Sequence, residues 1–236
     1  MKIGIMQPYL FPYIGYFQLM SIVDIFVLHD DVQYIKGGWI NRNRVLLDGK
    51  PYLFTFSVEK SSFFENINRR IFSDSLTNDK LKLLRFLHSN YRKAPYYEPT
   101  MSLIEFILNG EDRKVSRFIR RSLEILSTYL GLTCDIVNSS ELLGKNNELK
   151  AQERVLDMVK SLGGDHYINP IGGTALYDNK TFLDQNIKLN FIQTDFTRST
   201  YKQFDKPFVP GLSIIDVLMF NSREQIKQLL SFYNLL

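Results

Sequence analysis

Cysteine and histidine are nearly absent from this sequence. Cys134 is the only thiol, and His29, His88 and His166 are the only imidazoles in 236 residues. One thiol excludes an internal disulfide framework and a cysteine-rich zinc site. No two histidines stand at ligand spacing, so neither a resident metal nor a tightly bound cofactor is expected. The Gly-x-Gly-x-x-Gly dinucleotide fingerprint, the Walker loop and the Gly-x-Ser-x-Gly elbow are also missing. Charge of one sign is scarce: 29 Lys+Arg stand against 25 Asp+Glu, a net charge of +4. That balance is far from a DNA-binding footprint. Repeats, linkers and low-complexity tracts are lacking, so residues 1–236 read as a single domain.

Charge is wholly missing from Ile3 to Val23. Pro8 and Pro12 interrupt any helix there, and the apolar run Ile3–Met6 is too short for a signal peptide core. The stretch therefore reads as strand, turn and helix, without membrane insertion. With no export signal and a single thiol, the cytoplasm is the expected compartment.

What the chain does have is aromatic residues: 18 Phe, 13 Tyr and one Trp, 14% of the total. Strand Lys2–Met6, helix Tyr13–Ile22 and strand Asp24–Leu28 form the opening of a parallel α/β unit. Asp48-Gly49 between Asn41–Leu47 and Pro51–Val58 predicts a β-hairpin over 41–58. Residues 78–130 predict a helical insertion, with helices at Asn78–Arg92, Met101–Leu108 and Lys114–Leu130, the last capped by Gly131. The α/β pattern returns with strand Thr133–Val137, helix Leu149–Leu162, strand His166–Asn169, a short helix Asn179–Gln185 and strand Lys188–Gln193. Ser213 caps a final helical region, Ile214–Phe232. Asp216 fits a capping box there or a catalytic role.

Three clusters carry candidate chemistry. The first, Gln7 to Gln18, leaves the carboxyl end of the first strand, where parallel α/β sheets bind ligands. It holds Gln7, Tyr9, Tyr13, Gly15 and Tyr16; the alternative is that Tyr13, Tyr16 and Phe17 only fill the core. The second runs from His29 to Arg44 on the same rim. Asp30 and Asp31 are adjacent carboxylates; Gln33, Asn41 and Asn43 supply amides; Lys36 and Arg42 supply charge for phosphate; Tyr34 and Trp39 supply rings. The alternative is a solvated loop leading into the hairpin. The third, Asn169 to Tyr177, follows another strand, and its Gly172-Gly173 is either a phosphate-cradling or a tight-packing turn. His29, His88, His166 and Cys134 read as structural.

The runs Met6-Gln-Pro-Tyr-Leu-Phe-Pro-Tyr-Ile-Gly-Tyr-Phe-Gln-Leu19 and Asp30-Asp-Val-Gln-Tyr-Ile-Lys-Gly-Gly-Trp-Ile-Asn-Arg-Asn-Arg44 resemble the WbqC-like family. The likeness continues through Tyr91–Tyr97, Asn169–Tyr177 and Leu212–Asp216. That resemblance implies a place in bacterial O-antigen (lipopolysaccharide) and other surface-polysaccharide biosynthesis. It also implies an acyltransferase attaching glycine or another acyl group to an amino sugar, with a nucleotide sugar as substrate. The acyl donor is a coenzyme A thioester, an acyl carrier protein or an aminoacyl-tRNA. The strand followed by Pro12-x-x-Gly15-Tyr16 is also similar to the opening of class I nucleotidyltransferases, which implies a Rossmann-like sheet. On this reading Asp31 or Asp30 is the base, and Tyr16, Asn43 and the helix start at Gly15 face the oxyanion. Rival readings are a nucleotidyltransferase-like or ATP-dependent ligase, and a non-catalytic nucleotide-sugar binding protein.

Overall fold

The computed structural model describes residues 1–144, 146 and 148–236. In chain order the elements are β1 (Lys2–Met6), α1 (Ile14–Met20), β2 (Ile25–Leu28), β3 (Arg42–Leu47) and β4 (Lys50–Thr55). Next come α2 (Leu76–Tyr91), α3 (Tyr97–Leu108), α4 (Val115–Leu130), β5 (Asp135–Asn138), α5 (Ala151–Ser161) and β6 (His166–Pro170). The chain ends with α6 (Asn179–Leu183), β7 (Lys188–Thr194), α7 (Ile214–Phe220), α8 (Arg223–Leu230) and β8 (Tyr233–Leu235).

Six strands form one sheet in the order β5-β2-β1-β6-β7-β8. All neighbours are parallel except β7 and β8. The fold is α/β and Rossmann-like. β1 and β2 are buried on both sheet faces, which is why their cores read as continuous apolar runs. One face carries α1, the hairpin β3–β4 and helices α2–α4, α7 and α8 around residues such as Phe17, Phe26 and Leu218. The other carries α5 and α6 over Ile3, Ile5, Val27, Tyr167 and Phe182. Gly4 lets α1 lie close: a Cβ there would stand 3.2 Å from the Leu19 side chain.

The hairpin turns on Asp48 and Gly49, whose φ values of 49° and 77° are the paired positive angles of a twist-matched two-residue turn. α3 begins at Tyr97, a turn before the predicted Met101, because Pro99 falls in the first turn, where no N–H is needed. The predicted final helical region is divided. Asn221 is extended, and Ser222 with Gln225 builds a capping box that starts α8 anew. The last three-residue strand, β8, was not expected; it pairs antiparallel with β7 from Ile192 to Thr194. Among the described residues no helix is long and apolar enough to cross a membrane.

Candidate functional site

The strand order creates a crevice at the carboxyl end of the sheet. From β1 the chain moves to β2 on one side, whereas the crossover through α5 delivers β6 to the other. Between such diverging connections ligands bind in open α/β sheets. The register shows the opening directly. β1 pairs with β6 only through Gly4↔Ile168, whereas it stays paired with β2 as far as Met6↔Leu28.

A cleft of about 560 Å³ lies there. Ile5 and Met6 line it from β1, with Gln7 just beyond, His29 follows β2, Leu176 and Tyr177 follow β6, and Lys150, Ala151, Gln152, Arg154 and Val155 contribute the start of α5. Lys150, the residue before α5, makes no side-chain cap to the helix. The first N–H groups of a helix have no intrahelical acceptor, so α5 turns donors and a partial positive charge toward its entrance. Ala151 holds φ +47°, a left-handed angle unusual for a residue with a side chain, at this first turn.

The charged centre is Asp31. Arg154 Nη2 lies 2.7 Å from Asp31 Oδ2, with side-chain exposures of 16% and 13%. His29 Nε2 lies 3.9 Å from Asp31 Oδ1, and the Ser139 hydroxyl donates to the same oxygen. One carboxylate thus holds a guanidinium and stands within ion-pair range of an imidazole, and both line the cleft. A carboxylate this near a histidine favours the charged form that appears when the ring takes up a proton, as a general base does.

Several residues singled out in the sequence stand elsewhere. Asp30 is buried and accepts from Asn138 Nδ2 at 2.8 Å and Ser140 N at 3.0 Å, tying β2 to the end of β5 rather than facing a substrate. Tyr16 is buried among Tyr9, Phe17 and Phe26, and its hydroxyl donates to the Gln7 carbonyl at 3.0 Å. It has no route to a reacting atom. Gly15 approaches no ligand either: a Cβ there would run into the Tyr13 ring and Thr194 Oγ1. Tyr13 lies against Thr194 at the end of β7, away from the cleft. Asn43 is fully buried and donates to the carbonyls of Leu10 and Phe11. It clamps Phe11, whose φ is +45°, so it is not an oxyanion donor. Asn41 donates to the Phe56 carbonyl and accepts from Tyr34.

Gln33 donates to the Phe63 carbonyl, and Lys36 lies in a separate groove with Tyr34, Phe63 and Arg70. Asn169 accepts from Tyr167 and donates to the Pro170 carbonyl. Gly173 abuts the Asn169 amide, the tight-packing alternative, and Gly172 faces open space. Tyr9, Trp39 and Arg42 meet in a cluster of their own. Of the sequence candidates, the cleft gathers Gln7 and Tyr177 into its wall, with Asp31 behind Arg154.

Sequence reasoning missed Lys150, Gln152 and Arg154, and read His29 as structural. The only available signal was the start of the helix predicted at Leu149. Its nearness to β1 follows from strand order, which no local pattern encodes.

The sequence profile of the WbqC-like protein family matches residues 7–228. The chain is 28% identical over 221 residues to the uncharacterized protein Rv1507c of Mycobacterium tuberculosis, a match covering 93% of each chain. No solved structure matches it.

Proposed function

The chain belongs to the WbqC-like protein family, and from that premise we propose that it transfers an acyl or aminoacyl group, glycyl among them, to a nucleotide-linked amino sugar. The product would enter bacterial surface polysaccharide. The observation that carries this reading is the His29–Asp31–Arg154 arrangement at the mouth of the crevice.

An amino sugar arrives as an ammonium and must lose a proton before its nitrogen can attack. His29 is the proposed acceptor, with Asp31 stabilising the imidazolium and Arg154 fixing the carboxylate. The amine then forms a C–N bond to the acyl carbon while the donor's C–S or C–O bond breaks. The proton held by His29 passes to the departing sulfur or oxygen, and the nitrogen, cationic once the C–N bond has formed, releases its second proton to solvent to leave the neutral amide. The negative charge developing on the carbonyl oxygen would be met by the N–H groups of the first turn of α5. Gln7, Gln152 and Tyr177 offer hydrogen bonds to sugar hydroxyls, and Ile5, Met6, Val32 and Val155 supply an apolar floor. The donor is a coenzyme A thioester, an acyl carrier protein or an aminoacyl-tRNA.

Mass spectrometry of the purified protein incubated with panels of nucleotide-linked amino sugars and acyl donors tests the reading. An N-acylated sugar nucleotide that disappears in His29→Ala supports it. No such product from any pairing overturns it.

A further inference from the structure

A second polar cluster lies on the same rim, outside the crevice. Side chains alternate along the hairpin strand, so Asn41 and Asn43 turn inward while Arg42 and Arg44 share the outer face. Both arginines converge on Trp39: Arg42 Cζ lies 5.5 Å and Arg44 Cζ 5.0 Å from the ring centre. Tyr9 stands beside them, its ring 6.1 Å from that of Trp39. Trp39 itself is 42% exposed.

These two guanidinium groups lack acidic company. Neither takes part in any ion pair among the described residues. Arg42 Nε donates to the Gly38 carbonyl at 2.8 Å, whereas Arg44 Nε is buried with no hydrogen-bond partner. An aromatic face attracts each cation but neutralises neither, so two like charges held at one ring call for an anion. An exposed indole beside them calls for a flat group. Gln7 lines the crevice and Tyr9 follows two residues later, at most about 7.6 Å away along the backbone. The cluster and the crevice therefore adjoin.

We infer that Trp39, Arg42 and Arg44 seat a nucleoside diphosphate, with the base on the indole and the diphosphate on the guanidinium pair. This inference rests on the proposed acceptor class and specifies how that acceptor is held: the sugar extends from the diphosphate into the crevice. Arg44, rather than Lys36, is the second phosphate-binding cation.

Trp39 is the only tryptophan, so intrinsic fluorescence reports this seat without labelling. The full chain is titrated with uridine, cytidine, guanosine and thymidine diphosphates, with the matching nucleosides, and with inorganic pyrophosphate. The expected result is a saturable change in Trp39 emission with at least one diphosphate. Nucleoside and pyrophosphate should bind about tenfold more weakly or worse. Arg42→Ala and Arg44→Ala should each weaken binding by about tenfold or more, as loss of a charge-assisted contact does. Arg44→Gln is the fallback if truncation at that strand position impairs folding, and circular dichroism checks each variant.

Three results overturn the inference: no diphosphate acts at millimolar concentration, the arginine variants bind as the wild type does, or pyrophosphate alone binds as tightly. An N-acylated product formed by a protein whose Trp39 ignores every diphosphate removes this seat and leaves the transfer reading standing. Diphosphate binding without any product does the reverse.

Discussion

Asp31 and Asp216 are both shielded carboxylates, yet their surroundings share nothing. Asp31 stands at a cleft and is met by an arginine at 2.7 Å and a histidine at 3.9 Å. Asp216, in the first turn of α7, is wholly buried, and among the described residues its side-chain partners are neutral donors. Tyr91 donates to it at 2.7 Å, Tyr201 at 2.7 Å and Gln203 Nε2 at 2.6 Å. Phe204 and Phe220 pack against Tyr91 around this knot. A carboxylate held by an arginine beside open space can act on a ligand through the histidine next to it. One held by neutral hydroxyls inside packed aromatics can only join elements, here α2, α7 and the segment before it. Asp31 therefore belongs to the proposed site of chemistry and Asp216 to a site of cohesion, and each assignment can be tested by substitution.

The largest effect belongs to cohesion. Asp216→Ala would leave three buried donors without their shared acceptor, a loss of about 3–5 kcal/mol in urea unfolding. The pH dependence comes next. Burial pushes the Asp216 carboxyl from its ordinary 3.8 up to about 6, although Tyr201, Tyr91 and Gln203 each pull it back. The folded state thus binds this proton more tightly than the unfolded chain. The stability it contributes is complete below about pH 3.8 and is lost as pH rises through about 6, a loss of about 3 kcal/mol. Asp216→Asn carries no titrating proton. Its stability relative to wild type should therefore improve by that amount between pH 4 and pH 7. A difference that stays flat across this range would show that Asp216 does not titrate there.

Chemistry supplies the next effect. Asp31→Asn keeps the shape but cannot stabilise an imidazolium, so the rate of the proposed acyl transfer should fall about a hundredfold. A variant that loses stability but keeps its rate would make Asp31 a second Asp216.

How much of this contrast was visible in the residues alone differs between fold and site. The hairpin was legible because Asp48-Gly49 forces one turn geometry on its flanking strands. The opening strand–helix–strand unit was legible because a short apolar run ends at Gln7-Pro8, a helix follows Pro12 and a second apolar run follows Asp24. The start of α8 was written in Ser222 and Gln225 but hidden inside an apolar pattern that continues on both sides. For the site, Asp30 and Asp31 are neighbours of identical type in one loop. Only the position of β5 decides that Asp30 is consumed by Asn138 and Ser140 while Asp31 meets Arg154. The same holds for Arg42 and Arg44, whose shared face follows from strand alternation and whose convergence on Trp39 does not.

The smallest effect sharpens the comparison most. Tyr201→Phe removes one of the three donors to Asp216 and leaves the ring to pack against Phe208 and Phe220. Gln203 remains on the same carboxylate oxygen, so the loss should be about 1 kcal/mol, the net value of a single buried hydrogen bond. Tyr201 is the strongest of the donors holding the Asp216 carboxyl down, so its removal should also move that titration to higher pH. The stabilities of wild type and Tyr201→Phe would therefore run parallel below about pH 6 and separate above it. Neither change should reach the cleft, because the contacts of Tyr201 run to Asp216, Gln203, Phe208 and Phe220, whereas Asp31 stands with Arg154 and His29. An unchanged transfer rate beside a shifted stability profile is the expected outcome. A rate that falls with Tyr201→Phe would mean that the two carboxylates are coupled and that the knot at α7 helps to shape the crevice.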